Sequence, residues 1–143
     1  MKNTLIFVLA LAVLSACATG EDANAELEIN LDNQLTGKWQ LIEHLMDPGD
    51  GSGVFQPIAS DHTIEMLKDG TFKSNKSLCY AGGDADKGTE GTIDSERSVL
   101  ILEGCQRDED LPKFELAYNL KESNLIINLF CIEPCALKFK KLK

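Results

Sequence analysis

The chain has 143 residues, 43% of them hydrophobic and 26% charged, and its 23 acidic against 14 basic side chains give a formal net charge of −9. This length suits one ordinary domain. The acidic balance argues against a nucleic-acid partner, which needs clustered Lys and Arg to displace counterions. Only Lys138, Lys140, Lys141 and Lys143 cluster, and their spacing suits the outer face of a last strand, where lysines discourage strand-to-strand aggregation.

Lys2 gives the amino terminus a short positive region, and residues 5–14 form an apolar run. A run of about ten residues is half of what a membrane-spanning helix needs, so it reads as the core of a signal peptide. It ends in Leu14-Ser15-Ala16-Cys17, which resembles the lipobox of bacterial lipoproteins: a branched apolar residue, two small residues, then cysteine. The resemblance implies that residues 1–16 are removed and that the Cys17 thiol carries a diacylglyceryl group. An ordinary secretory cleavage at Ala16 or Ala18 is the rival reading. Each buried methylene of an acyl chain such as palmitate contributes about 0.8 kcal/mol, so the two or three chains of a lipoprotein anchor firmly where one is marginal. The expected partner is therefore a membrane, reached through lipid rather than a span. The expected location is the cell envelope, at the outer membrane on its periplasmic or surface face.

Residues 18–26 are small and acidic without apolar periodicity, the composition of a tether. Leu27, Ile29 and Leu31 alternate with Glu28 and Asn30 as either a short edge strand or the linker's end. The predicted organisation is a signal peptide at 1–16, a lipidated amino terminus and linker at 17–34, and a folded domain at 35–143. Losing Lys2 with the leader shifts the formal charge from −9 to about −10.

Within the domain, Gly37 to Leu45 alternates polar and apolar residues with period two, predicting a strand. Residues 47–53, Asp-Pro-Gly-Asp-Gly-Ser-Gly, form a loop by composition. Its two aspartates lack the rhythm and closing glutamate of an oxygen-rich calcium loop. Strands at 62–68 and 71–75 flank the hairpin signal Asp69-Gly70. Further strands are predicted at 88–93, 98–102, 114–121, 124–130 and 136–142, with Glu122-Ser123 as a tight turn and residues 82–86 and 107–110 as solvated turns. Residues 111–118 could make one helical turn, but Phe114, Leu116, Tyr118 and Leu120 share one face of a strand. The fold class that follows is all-β: a small antiparallel barrel of about eight strands, closed so that no edge is free.

Leu35-Thr36-Gly37-Lys38-Trp39-Gln40-Leu41 resembles the Gly-X-Trp opening of lipocalin-like proteins, and residues 67–72, Leu-Lys-Asp-Gly-Thr-Phe, are similar to the second-to-third-strand hairpin of small lipocalin-like lipoproteins. The resemblance covers about residues 35–142. It implies that Trp39 closes one barrel end and that the interior holds a small apolar or amphipathic ligand, for which Trp39, Phe72 and Tyr118 are the candidate contacts. The alternative is an envelope structural or protein-interaction lipoprotein with a filled barrel.

Cys79, Cys105, Cys131 and Cys135 remain beside Cys17, and an even number in an exported chain suggests disulfides. Three pairings are possible. The Cys131-Ile-Glu-Pro-Cys135 spacing suits a turn clamped by a bond, with Cys79 and Cys105 pairing separately. No metal site is expected, because the one close cysteine pair has no matching second pair and His44 and His62 lie in unrelated contexts. No cofactor and no enzymatic activity are expected either. The sequence holds no Gly-X-Ser-X-Gly elbow, no His-Glu-X-X-His and no phosphate-cradling loop.

Overall fold

The computed structural model describes residues 33–79, 87–105 and 112–143. Cys17, the alternation at 27–31 and the turns at 82–86 and 107–110 lie outside these residues. The described chain is almost entirely strand: β1 (Gly37–Met46), β2 (Gln56–Pro57), β3 (Thr63–Met66), β4 (Thr71–Ser74), β5 (Thr89–Asp94), β6 (Val99–Leu102), β7 (Phe114–Lys121), β8 (Asn124–Asn128) and β9 (Cys135–Lys141). β1 pairs antiparallel with β3, each of β3 to β8 pairs antiparallel with the next, and β9 returns to pair antiparallel with β1. This closes an eight-stranded barrel. The two residues of β2 add a short second contact on β1, at Glu43 and His44. Residues 114–121 form a strand, and the register of Leu100 against Leu116 and Tyr118 against Ile127 keeps their apolar face inward.

The two barrel ends differ in chemistry. At one end the hairpins are tight. Asp69 accepts from the Thr71 backbone N–H at 3.0 Å and from the Thr71 hydroxyl at 2.6 Å. Glu122 and Ser123 both take positive φ (52° and 62°), the backbone of a type I′ turn, which matches the twist of the flanking strands. The chain enters here through helical residues 33–35. The Trp39 indole N–H donates to the Leu35 carbonyl at 2.8 Å, so Trp39 and Leu35 together cover this end. Gly37, at φ +130°, lets Lys141 cross over: a Cβ there would stand 2.9 Å from Lys141 Cε. The Lys141 ammonium lies 5.3 Å from the Trp39 ring centroid and donates to the Gln34 carbonyl at 2.7 Å. Lys141 thus caps the barrel end, whereas the sequence placed it among outward lysines. The other end carries the longer connections after β1, β4, β6 and β8, and is termed the loop end below.

A bulge in β1 reverses its alternation. Leu41 pairs with Phe139, but the next matched pair is Glu43 with Lys138, leaving Ile42 extra. Simple period two would place Leu45 on the side of Trp39 and Leu41. Instead Leu45 falls opposite Ala136 on the outer face, and His44 falls opposite Leu137 on the inner face. The Glu43 and Lys138 side chains meet outside as a half-buried ion pair.

Candidate functional site

The barrel interior is occupied by its own side chains. Trp39 and Leu116 are 2% exposed, Phe72 and Met66 1%, and Ile64, Leu100, Leu102, Leu125, Ile127 and Phe139 0%. Each such side chain contributes roughly 1.5–3 kcal/mol on burial. All three sequence-nominated ligand contacts, Trp39, Phe72 and Tyr118, belong to this core. Gly91 marks how tight it is: a Cβ there would lie 2.0 Å from the Ile101 carbonyl oxygen and 2.8 Å from the Phe72 ring.

The mouth at the loop end is stoppered. Leu78, from the connection after β4, is 2% exposed and packs into the core, and its backbone N–H donates to Thr89 Oγ1 at 2.9 Å. Beside it Cys79 is bonded to Cys105, tying the connection after β4 to the connection after β6. His62 and Ser74 are buried at this end: His62 Nε2 sits 2.8 Å from Ser74 Oγ, and the imidazole meets the Phe139 ring edge-on at 5.3 Å. Burial, with the nearby Lys76 cation second, lowers the His62 pKa to about 4, so the ring is neutral at physiological pH. Ser74 Oγ in turn donates to the Lys76 carbonyl at 2.8 Å. Among the described residues, no buried side-chain nitrogen or oxygen lacks a hydrogen-bond partner, so these polar groups satisfy one another.

Outside the barrel, the bulge creates a second apolar surface. Leu45, Ile126 and Ala136 lie on neighbouring strands of the outer face, and with Phe55 and the Cys131–Cys135 loop they line a groove of about 350 Å³. The loop is clamped by the Cys131–Cys135 disulfide, and the Pro134 carbonyl accepts from the Asp47 N–H at 2.9 Å. The Lys138 ammonium sits 4.1 Å from the Phe55 ring centroid at the groove's edge. Four large apolar side chains stand exposed at this end: Ile132 (101%), Phe130 (81%), Val54 (61%) and Met46 (58%). Phe130 rests edge-on against Phe114 with centroids 5.8 Å apart. The signal of this surface in the sequence is Phe130 and Ile132, two large apolar residues flanking Cys131 shortly before Cys135.

The loop after β1 has the geometry of an anion nest. Asp47 accepts backbone N–H groups from Gly49 (2.7 Å), Gly51 (3.1 Å) and Gly53 (2.7 Å). These donors, Gly53 foremost, hold its carboxyl below the ordinary range. Oxygens already facing three N–H dipoles are poorly placed to hold a cation. Among the described residues no group of three or more His, Cys, Asp or Glu could hold a metal ion, and no helix is long and apolar enough to cross a membrane. Comparison with protein-family models, with curated proteins and with solved structures gives no match.

Proposed function

We propose that the protein is a lipid-anchored lipoprotein of the cell envelope whose lipocalin-like barrel is a filled, rigid interaction module rather than a ligand carrier. The observation that carries this reading is the occupied interior. Three aromatic rings, Trp39, Phe72 and Phe139, are at most 2% exposed, and Leu78 and Cys105 from the loop end are buried with them. An eight-stranded barrel is just wide enough either to fill with side chains or to hold one small ligand, and this one fills. The anchor reading rests on Leu14-Ser15-Ala16-Cys17 and the short apolar run before it. The described chain begins at residue 33, at the tight-turn end.

Native mass spectrometry of the processed protein after exposure to envelope lipid extract tests the interior. The expected result is the mass of protein plus anchor alone, with no added lipid raising the melting temperature. A retained ligand that stabilises the fold overturns the filled-barrel reading and restores Trp39, Phe72 and Tyr118 as its contacts. The anchor has a separate test. Cys17→Ser is expected to abolish labelling by radioactive palmitate and to release the protein to the soluble fraction, and unchanged membrane association refutes it.

A further inference from the structure

We propose that the groove between Phe55 and the Cys131–Cys135 loop, together with the exposed Phe130 and Ile132 side chains, docks a basic protein segment that presents an apolar side chain. The inference names the partner of the proposed interaction module and rests on that reading. In a chain where 26% of residues are charged, four large apolar side chains more than half exposed gather at one barrel end. Ile132 lines the groove itself and Phe130 flanks it across Cys131, and exposed apolar side chains beside an apolar groove mark a contact site. It is also held ready. The disulfide, the hydrogen bond from Asp47 to Pro134 and the Phe114–Phe130 contact fix the loop before any partner arrives, so little conformational entropy remains to be lost on association.

Charge selects the occupant. Glu133 is the one charged residue lining the groove, and its carboxylate lies beside Gly49 in the loop that carries Asp47 and Asp50. The Asp50 carboxyl is held below the ordinary range by hydrogen bonds from Ser52. Lys138, at the groove's edge, is engaged by Glu43 and the Phe55 ring. A second copy of this chain in a two-fold contact would bring the same acids face to face. An anionic bilayer would be repelled by the same acids. A basic segment complements the acidic rim while its apolar side chain fills the groove.

The probe is a fluorescein-labelled decapeptide of alternating Lys and Leu, read by anisotropy against the processed protein in phosphatidylcholine nanodiscs, with the signal of empty discs subtracted. Phe130→Ser with Ile132→Ser removes exposed side chains only, and an unchanged melting temperature confirms the fold. Losing two exposed anchors of this size should weaken binding about tenfold or more. Glu133→Gln with Asp50→Asn, or 0.5 M salt, should weaken it about threefold. Peptides of Glu and Leu, or of Lys and Ser, should bind at least about tenfold less well than the Lys and Leu peptide. Equal binding by the double serine variant overturns the proposal, as does equal binding of the Glu and Leu peptide. So does association of the protein with itself or with phosphatidylglycerol vesicles that the serine variant abolishes. None of these outcomes touches the lipid-extract test, so the filled-barrel reading stands or falls separately.

Discussion

Acid should destabilise this barrel well above the carboxylate range, and His62 is the reason. Its imidazole is 6% exposed, bonded to Ser74 and packed on Phe139, and its pKa falls from 6.5 to about 4 in the folded protein. A base whose folded pKa is depressed takes up its proton more readily when unfolded. Its contribution is therefore complete above pH 6.5 and is lost as pH falls toward 4. Between pH 7 and pH 5 the unfolded state becomes almost fully protonated at this site while the folded state remains nine-tenths neutral, a loss on the order of 2 kcal/mol. The window also separates His62 from Asp47, Asp50, Asp69 and Asp94, whose carboxyls are all lowered from 3.8, with hydrogen bonds the leading cause. Those groups act mainly at lower pH. Urea denaturation followed by Trp39 fluorescence at pH 7 and pH 5 should show the midpoint falling by about 1–2 M, given an ordinary slope for a domain of this size. His62→Gln, whatever its cost at pH 7, should flatten that dependence. Parallel losses in the native protein and the variant would falsify the assignment.

Phe72→Ala should cost about 3–5 kcal/mol, the range for a buried aromatic, and differential scanning calorimetry should find the loss. Gly91→Ala should prevent folding or cost as much as a large core truncation, because its methyl group would overlap the Ile101 carbonyl; a near-native melting temperature contradicts the close approach. Thiol counting in the unreduced, denatured domain should find Cys79, Cys105, Cys131 and Cys135 all engaged. Replacing the first pair by serine should cost about 3.5 kcal/mol and the second about 2 kcal/mol, following their sequence separations of 26 and 4. A larger loss at Cys131–Cys135 reverses that order.

Much of the barrel was readable because a strand with one wet and one dry face writes period two into its sequence. The boundaries at 114–121 agree to the residue, and the expected strands at 71–75 and 88–93 appear as 71–74 and 89–94. The strand expected through Phe130 stops at Asn128, since the chain must turn toward the Cys131–Cys135 clamp. Less readable were features made by distant partners. The extra residue at Ile42 shows only against β9, and it moves Leu45 to the outside. Gln56–Pro57 is too short to carry a pattern, and it pairs only because β1 offers Glu43 and His44. Size nominated Trp39, Phe72 and Tyr118 as ligand contacts, but size serves a core equally well. The outer groove needs Leu45, Phe55 and Ile126 from three separate segments, a convergence that no local window contains.

The seam where the barrel closes has one more consequence. β1 pairs with β9 from Trp39 to Met46, and the Leu142 N–H donates to the Lys38 carbonyl at 2.8 Å, so residues 33 and 143 approach the same end. A short peptide joining them would suit a circularly permuted version, with new ends opened in the exposed loop after β1. A reporter fused after Lys143 would sit beside the point where residue 33 enters and leave the opposite rim open to whatever approaches it.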